Sequence, residues 1–318
     1  MTDWRAGGSR VRTVFLGSGR FGIESLVRLD GHPDVELVGV VTVPARPAGR
    51  RQRLTPSDVE LAARELGVRT ILTPVRLRSS EAIAAVLDLR PELAVLADYG
   101  QLVPPALLGL RHGALNLHPS LLPRHRGATP IPAAILAGDD ATGVTLFRMD
   151  EGLDTGPIVA QRRVPLGGTE TAPALEQTLE TVADALLEAS LGPWLRGEVT
   201  ARPQSTDGAT LTRPLRREDG RLDPSRTAVV LEREVRAYQS WPGSYVDTAL
   251  GRLVVWAAGV GADADRPAGT FGPGGLSTAR GELLLLEVQP AGGRRMPWDA
   301  FVRGRPGIVG STALASGS

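Results

Sequence analysis

The feature that most constrains the fold is a series of short apolar segments in the first half of the chain, each followed by a helical pattern. Val35–Val43 (VELVGVVTV) is almost entirely apolar, as expected of a strand buried on both faces. Thr13–Leu16, Leu93–Ala97 and Ala114–His118 are further predicted strands. Alternation of strands with helices implies a parallel sheet covered on both faces. We therefore predict an α/β fold with a doubly wound parallel sheet.

The segments between these strands carry helix signals. Thr55–Leu66 begins with Thr-Pro-Ser-Asp, in which Thr55 is the predicted N-cap, with proline at N1 and an acid at N3. Ser79–Arg90 is a second predicted helix. Ala172–Leu191 is a third, and it closes a first domain that we place at residues 1–196.

The second half of the chain has a different pattern. Residues 197–213 are rich in Pro, Gly, Ser and Thr, and we interpret them as a linker. Thr227–Tyr238 is a predicted helix, and after it come short apolar runs separated by Gly and Pro: Ser244–Val246, Leu253–Val260, Gly269–Phe271 and Leu283–Val288. This pattern predicts a small β-rich barrel over residues 214–310. The last residues, 311–318, are small and polar, and we expect a frayed tail.

Composition excludes several classes of chemistry. The 318 residues include no cysteine and no lysine, so all 36 basic residues are arginines, against 35 acids. Disulfides, cysteine-ligated metals, cysteine nucleophiles, lysine Schiff bases and a P-loop lysine are excluded. No apolar run approaches the roughly 18 residues of a membrane helix, and the start of the chain lacks a signal-peptide pattern. We expect a cytoplasmic protein without a membrane partner.

Gly17-Ser-Gly-Arg-Phe-Gly22 fits the G-x-G-x-x-G pattern between a strand and a helix. In a dinucleotide-binding domain, an acid at the end of the second strand would hold the ribose. The second strand here ends in Val-Thr-Val-Pro44 and has no such acid. A tight strand-to-helix turn that requires glycine is therefore the favoured interpretation, and a nicotinamide oxidoreductase is the disfavoured one.

Three candidate reactive groups are an amide, an imidazole and a carboxylate: Asn116, His118 and Asp154. Asn116 and His118 lie two residues apart at the end of a predicted strand, so both point to one face. Amide and imidazole can stabilise an oxyanion, and the carboxylate can orient the imidazole, which suits acyl transfer to an amine. Other interpretations are a buried structural histidine, a hydrolase using Ser120, and a histidine metal site, although Ser120 lacks the G-x-S-x-G elbow.

The pattern around these residues resembles a known family. Asn116-x-His118-x-Ser120-Leu-Leu-Pro123, then Gly143-x-Thr145, then Asp154-x-Gly156 is similar to the signature of the 10-formyltetrahydrofolate-dependent formyltransferases. The resemblance continues through segments similar to those of the family members that act on tRNA, which are Arg46-Pro-Ala-Gly-Arg50, Tyr99-Gly-Gln-Leu-Val-Pro104, Arg217-Glu-Asp-Gly-Arg-Leu-Asp223, Arg236–Pro242 and Gln289–Met296.

This resemblance implies a Rossmann-like N-terminal domain followed by a small OB-like barrel that binds tRNA. The implied reaction moves a formyl group from 10-formyltetrahydrofolate, without a metal, to the amino group of methionine on initiator methionyl-tRNA, and we expect a monomer. Asn116 and His118 would stabilise the oxyanion, and Asp154 would fix His118 and manage the proton. The implied folate-binding residues are Tyr99, Gly100, Leu102, Ser120, Leu121, Leu122, Pro123, Asp150, Glu151, Gly152 and Leu153.

Four arginines lie within eight residues beside Pro and Gly: Arg46, Arg50, Arg51 and Arg53. Such a loop can reach phosphates, and the resemblance implies that it enters the tRNA acceptor stem; the alternative is a solvated charged loop.

Pro119 is more typical of relatives that formylate a small amine, such as an amino-sugar nucleotide, and this is the alternative function. An RNA-binding protein with an inactive site is a further alternative.

Overall fold

The structure is a computed structural model that describes residues 10–48 and 53–314. Its backbone divides into two compact units. The first comprises the residues up to 128 together with 142–165 and 176–212; the second comprises 129–141, 166–175 and the residues from 213 onward. Two segments of the predicted first domain, 129–141 and 166–175, thus group with the residues from 213 onward. The predicted limits of 1–196, 197–213, 214–310 and 311–318 stay predictions, and residues 315–318 of the tail lie outside the described residues.

The strands of the described residues are named in chain order. They are β1 (Val11–Gly17), β2 (Val35–Val41), β3 (Arg46–Ala48), β4 (Arg53–Thr55), β5 (Ile71–Leu72), β6 (Leu93–Ala97), β7 (Ala114–His118), β8 (Arg126–Gly127), β9 (Ala141–Arg148), β10 (Ile158–Pro165), β11 (Leu211–Thr212), β12 (Ser244–Thr248), β13 (Gly251–Gly261), β14 (Gly275–Ser277), β15 (Glu282–Pro290) and β16 (Met296–Pro297).

The helices are named in the same way. They are α1 (Ile23–Gly31), α2 (Asp58–Glu65), α3 (Ser80–Leu87), α4 (Pro105–Leu108), α5 (Pro130–Ala137), α6 (Ala172–Leu195), α7 (Ala228–Ala237) and α8 (Trp298–Gly304), with short 3₁₀ turns at Arg20–Gly22, Arg217–Gly220 and Pro306–Ile308.

The first unit contains a seven-stranded sheet in the order β10-β9-β7-β6-β1-β2-β5. Neighbours from β5 through β7 are parallel, which confirms the predicted α/β class. β9 runs antiparallel to β7, so the sheet is mixed at this side. β9 and β10 were not predicted, because β9 (ATGVTLFR) mixes glycine and threonines into its apolar pattern, although Thr142 and Thr145 are both buried.

The N-cap predicted for the helix Thr55–Leu66, which corresponds to α2, is wrong by two residues. Ser57 is the N-cap of α2, and its hydroxyl accepts a hydrogen bond from the Glu60 amide at 3.0 Å. Thr55 cannot serve, because it belongs to β4 and pairs with Arg46 of β3. Pairing across the loop therefore overrode the local Thr-Pro capping signal.

The glycine-rich turn after β1 is explained by close packing. A Cβ added to Gly17 or Gly22 would lie 2.8 or 2.9 Å from the carbonyl oxygen of Ala97, the last residue of β6. The Ser18 amide and hydroxyl both donate to the Asp98 carbonyl, at 3.0 and 2.8 Å. The glycines thus let the turn approach the backbone of the neighbouring strand, as the turn interpretation of G-x-G-x-x-G requires.

One face of the central sheet packs into an apolar core. Its buried members come from β1, β2, β6, β7 and the loops and helices that cover them: Val14, Leu16, Val41, Leu77, Val86, Ala94, Leu96, Val103, Leu107 and Ala114. Burial of this many aliphatic side chains fixes the strands whose ends carry the candidate site.

The second unit is built on a sheet ordered β12-β13-β15-β14, with β16 paired to β15. The expected β-rich C-terminal domain is confirmed. Its core contains Phe271, Trp298 and Phe301, with ring centroids 6.0 and 5.6 Å apart for successive pairs. The predicted strand Gly269–Phe271 is wrong, because this segment makes only isolated bridges such as Thr270 to Thr312. The strand lies a few residues later, at β14.

Within residues 10–48 and 53–314, none of the helices combines the length and the apolar character that crossing a membrane requires.

A buried carboxyl in the second unit couples folding to pH. Glu234 of α7 is buried and pairs with the Arg226 guanidinium, while Ser244 donates to its backbone carbonyl at 3.1 Å. Loss of hydration raises the pKa of Glu234 from 4.5 to about 7, and Arg226 opposes this only in part. The folded state therefore binds a proton more tightly than the unfolded state does. The resulting stabilisation is complete below pH 4.5 and is lost as the pH rises through about 7.

As the pH rises from 5 to 8.5, we expect the free energy of unfolding of the natural protein to fall relative to that of the Glu234→Gln variant. The free-energy difference should change by about 1–3 kcal/mol over this window, because the variant has no buried carboxyl to ionise. Denaturant unfolding at both pH values measures it. Glu218→Gln, an exposed acid of the same unit, is the control. Parallel pH dependence of the Glu234→Gln variant and the natural protein would contradict this account.

Candidate active site

The candidate site begins on β7, which lies between β6 and β9 in the sheet. Asn116 pairs with Leu96 of β6 on one side and with Phe147 of β9 on the other. His118 lies opposite Thr145 of β9. Asn116 and His118 share one face because they are two residues apart on a strand. His118 is buried and Asn116 is partly buried, so the strand presents an amide and an imidazole side by side.

The two nitrogens of the His118 imidazole face different groups. Its Nε2 lies 2.8 Å from the carbonyl oxygen of His125. A carbonyl only accepts, so Nε2 carries a proton. The other nitrogen, Nδ1, lies 3.8 Å from Oδ2 of Asp154, which is an ion-pair distance and too long for a hydrogen bond. Nδ1 is therefore the ring atom that faces the carboxylate.

Asp154 is presented by an unusual backbone conformation. Its φ of 53° lies in the left-handed region, which a residue other than glycine seldom adopts. Oδ2 accepts a hydrogen bond from the Gly127 amide at 2.7 Å. Two residues on, a Cβ at Gly156 would lie 1.9 Å from the Arg148 carbonyl oxygen. The Asp-x-Gly pattern thus combines a positioned carboxylate with a close approach of two backbone segments.

The loop that follows His118 is organised by the hydroxyl of Thr145. This hydroxyl donates to the Ser120 carbonyl at 2.7 Å and accepts from the Leu122 amide at 3.1 Å. Gln161 of β10 donates to the same hydroxyl at 2.9 Å and to the Leu122 carbonyl at 2.8 Å. One buried hydroxyl therefore fixes the backbone of residues 120–122.

Gly143 permits this arrangement. A Cβ there would lie 2.1 Å from the carbonyl oxygen of Arg162 on β10 and 2.7 Å from the Leu121 side chain. Glycine therefore lets β9 approach both β10 and the loop. The Gly143-x-Thr145 pattern supplies a close approach and a hydroxyl on one strand.

The side chains of residues 120–123 have different surroundings. Ser120 is fully buried and its hydroxyl donates to the Arg124 carbonyl at 2.7 Å. Leu122 packs in a small core with Phe147 and Ile158. Leu121 and Pro123 are partly buried. The side chains of Ser120 and Leu122 therefore make their contacts within the protein.

The other residues predicted to bind folate lie in two loops. Tyr99 and Gly100 follow β6, and burial raises the pKa of the Tyr99 hydroxyl to about 12. Leu102, in the same loop, has 65% of its surface exposed. Asp150, Glu151, Gly152 and Leu153 are all exposed and follow β9, with Leu153 at 54%. The Asp150 carboxylate accepts from the Gly152 amide and the Thr155 hydroxyl, at 3.0 and 2.7 Å.

The arginine-rich loop forms a two-stranded hairpin, β3 with β4, in which Arg46 pairs with Thr55. The hydroxyls of Thr42 and Ser57 lie 2.6 Å apart at its base, which closes the loop where it leaves and rejoins the domain. Arg46 and Arg53 are exposed. Arg50 and Arg51 lie outside the described residues.

Three contributors from later parts of the chain were not predicted: Gln161, Gln204 and Thr210. Gln204 lies in the segment interpreted as a linker, yet its amide donates to the carbonyls of Asp154 and Gly156 at 2.8 and 2.7 Å. The Thr210 hydroxyl accepts from the His125 amide at 2.8 Å. Their partners lie 16 to 85 positions away along the chain, so no local pattern signalled them.

Where the chain is described, no three His, Asp or Glu side chains are grouped as a metal would require. His118 and His125 meet through a ring nitrogen and a backbone carbonyl.

These features define an α/β protein in which an amide and an imidazole at the end of a central strand lie beside a carboxylate from the loop after β9. Residues 11–191 match the formyl transferase family, and residues 214–306 match the C-terminal domain of formyl transferases. The chain therefore belongs to the formyl transferase family, and it is an enzyme that transfers formyl groups.

Relatives that are similar over most of the chain are also formyltransferases. The methionyl-tRNA formyltransferase of Roseiflexus sp. (strain RS-1) is 42% identical over 302 residues, which cover 92% of each chain. That of Gluconacetobacter diazotrophicus is 43% identical over 311 residues, which cover 95% of this chain and 99% of the relative.

Solved structures show the same fold. WlaRD, a sugar 3N-formyl transferase determined with dTDP and 5-N-formyl-THF, superposes with a TM-score of 0.61 at 15% identity, over 87% of this chain and 97% of that one. HypX from Aquifex aeolicus, determined with tetrahydrofolic acid, gives 0.58 at 19% identity over 93% of this chain. This chain spans about half of HypX, or 47%.

We expect Thr145→Val to lower both stability and turnover, because valine has the same shape but leaves the Leu122 amide and the Gln161 side chain without their partner. The loss in unfolding free energy should be about 1–3 kcal/mol. Thermal unfolding and a formyl-transfer assay measure the two effects. Thr145→Ser retains the hydroxyl and should stay close to the natural protein. Equal behaviour of the valine and serine variants would refute the role of the hydroxyl.

Proposed function

We propose that this enzyme is a methionyl-tRNA formyltransferase, which moves a formyl group from 10-formyltetrahydrofolate to the amino group of methionine on initiator tRNA. The observation that carries the proposal is 42–43% identity to methionyl-tRNA formyltransferases over more than nine-tenths of the chain. That match includes the C-terminal domain. We expect the enzyme to act as a monomer in the cytoplasm.

In the proposed reaction the methionine nitrogen attacks the formyl carbon and forms a tetrahedral adduct with a negative oxygen. The Asn116 amide donates to this oxygen. The Nε2 proton of His118 is committed to the His125 carbonyl, so His118 can donate only from a protonated Nδ1. The Asp154 carboxylate, 3.8 Å from Nδ1, compensates that charge.

Collapse of the adduct breaks the bond to N10 of the folate and leaves the formyl group on methionine. The attacking nitrogen loses a proton, which Asp154 receives directly or through water, and N10 gains one as it leaves. No side-chain nucleophile is needed, because the amine attacks the donor itself.

Two exposed leucines support a folate donor. Leu102 and Leu153 lie in the loops after β6 and β9 and expose more than half of their surface, and covering them with a pterin would remove apolar area from water. In the loop after β7, backbone groups and the partly buried Leu121 and Pro123 remain for ligand contact, since Ser120 and Leu122 are buried. Structural neighbours with bound folates, such as WlaRD and HypX, agree with this donor.

The proposed acceptor contact is the hairpin of β3 and β4. It follows β2 at the carboxyl end of a parallel strand, the edge where open α/β sheets bind ligands. Arg46 and Arg53 are exposed on it, and guanidinium groups suit phosphates and base edges. Arg50 and Arg51, which are also proposed to contact tRNA, belong to the same loop.

Pro119 favours a second candidate, a formyltransferase that acts on a small amine. The deciding experiment mixes purified enzyme and 10-formyltetrahydrofolate with either methionylated initiator tRNA or a panel of amino-sugar nucleotides. We expect tetrahydrofolate release with the charged tRNA only. Release with a sugar nucleotide only would replace the proposed acceptor and keep the chemistry of Asn116, His118 and Asp154.

In the same assay, alanine at Asn116, His118 or Asp154 should lower kcat by about 10²-fold or more, as lost oxyanion and proton-transfer groups do. Binding of charged tRNA, measured by filter retention, should be unchanged. A variant that turns over at the natural rate would remove its residue from the mechanism.

We expect Arg46→Ala to lower kcat/KM for methionyl-tRNA by about 10-fold, since a specific guanidinium contact contributes about 1–3 kcal/mol. The KM for the folate donor should not change. Arg69→Ala is a matched control, because Arg69 is also exposed. It precedes β5 and therefore lies at the amino ends of the parallel strands, whereas the hairpin follows the carboxyl end of β2. An equal effect of both variants, or an unchanged kcat/KM for Arg46→Ala, would rule out the contact.

A further inference from the structure

We propose that Gln204 is a positioning residue for formyl transfer, which holds Asp154 in place from a segment that the sequence presents as a linker. The inference rests on the proposed function, because it concerns the role of Asp154 in that reaction. It assigns a part in the active site to residues 202–212.

The side-chain amide of Gln204 is fully used. Nε2 donates to the carbonyl oxygens of Asp154 and Gly156, at 2.8 and 2.7 Å. Oε1 accepts from Nε and Nη2 of Arg126, at 3.1 and 2.8 Å. A primary amide has two donor hydrogens and two acceptor sites, so all four are occupied by one turn and one arginine.

These bonds act on a residue whose backbone lies in the left-handed region. Asp154 has a φ of 53°, and the left-handed region costs a residue with a Cβ about 1 kcal/mol or more. Its carbonyl and that of Gly156 flank Thr155, so Gln204 holds both ends of the turn. Without these donors, the Asp154 backbone is free to relax toward a conformation that redirects the carboxylate.

Gln204 also holds the strand that receives the carboxylate. Arg126, its second partner, precedes Gly127 in β8, and the Gly127 amide donates to Asp154 Oδ2 at 2.7 Å. The Gln204 side chain therefore bonds both to the turn that carries the Asp154 carboxylate and to the residue that precedes Gly127, whose amide donates to that carboxylate. This geometry separates Gln204 from a residue that merely fills space beside the loop.

The rest of the segment is attached to the same loop. β11 pairs in parallel with β8, matching Leu211 with Arg126 and Thr212 with Gly127. The Thr210 hydroxyl accepts from the amide of His125 at 2.8 Å, and it is the His125 carbonyl that holds the His118 ring. Residues 202–212 thus support both the imidazole and the carboxylate.

The test compares Gln204→Met, which keeps the size and loses all four hydrogen bonds, with Gln204→Glu, which keeps the acceptor for Arg126 and loses both donors. Each should lower kcat by about 10-fold or more, because small displacements of reacting groups cost about that much. KM values for donor and acceptor should stay within about threefold. Gln177→Met, at an exposed glutamine of the same unit, should match the natural enzyme.

A double-mutant cycle separates positioning from a general structural role. In an Asp154→Asn background, Gln204→Met should lower kcat by a further factor of less than about two, because its effect acts through Asp154. A full additional 10-fold loss in that background, or a natural kcat in the single variants, would overturn the proposal. A Gln204→Glu variant with natural kcat would do the same, since it lacks the donors.

A readout without substrate keeps the inference independent of the acceptor. The Gly127 amide is bonded to Asp154 Oδ2, so its hydrogen exchange, followed by ¹⁵N NMR, reports on the carboxylate. Exchange should accelerate about 10-fold or more in Gln204→Met, in line with loss of a local constraint, and not in Gln177→Met. Unchanged exchange would refute the positioning role, whereas failure of the natural enzyme with methionyl-tRNA would refute only the proposed acceptor.

Discussion

The antiparallel pairing of β9 with β7 is the constraint on which the active site depends. Its register sets Thr145 opposite His118, and from there one hydroxyl bonds the loop that leaves β7. On the same strand, Gly143 lets β9 approach both the backbone of β10 and the Leu121 side chain of that loop. A hydroxyl and a missing Cβ two residues apart on one strand therefore fix where the chain goes after the histidine, and hence where its ring lies.

The site divides its polar groups between holding the protein together and facing outward. The Ser120 hydroxyl, the Thr145 hydroxyl and Nε2 of His118 are all bonded to backbone groups. Nδ1 of His118, the amide of Asn116 and the second carboxylate oxygen of Asp154 are the groups to which we assign the proposed chemistry. Preorganisation of this kind means that little reorganisation is needed when charge develops on a substrate oxygen.

Much of the fold could be predicted because its signals are local. The limits of β6 and β7 follow from short apolar runs, and the four helices that were predicted with bounds correspond to α2, α3, α6 and α7 to within a few residues at most of their ends. The helices α4, α5 and α8 were not predicted. The failures share a cause: β9 and β10, the cap of α2 and the shifted strand β14 all depend on which segments pair with each other, and the pattern along one segment does not specify its partner. The candidate residues Asn116, His118 and Asp154 were found because their chemistry and spacing form a pattern, whereas Gln204 has no pattern around it. Its partners are about 50 and 78 positions away.

By itself, the sequence determined the class of sheet and the family, and it supplied the candidate reactive groups, since periodicity, glycine placement and motif spacing are properties of neighbouring residues. Only the tertiary structure decided which nitrogen of His118 donates to the His125 carbonyl, and that Gln204, in the segment interpreted as a linker, bonds to the turn that carries Asp154. These are outcomes of hydrogen bonds between segments that meet only when the chain folds. Their geometry is set by how closely backbones can approach, which no single stretch of sequence encodes.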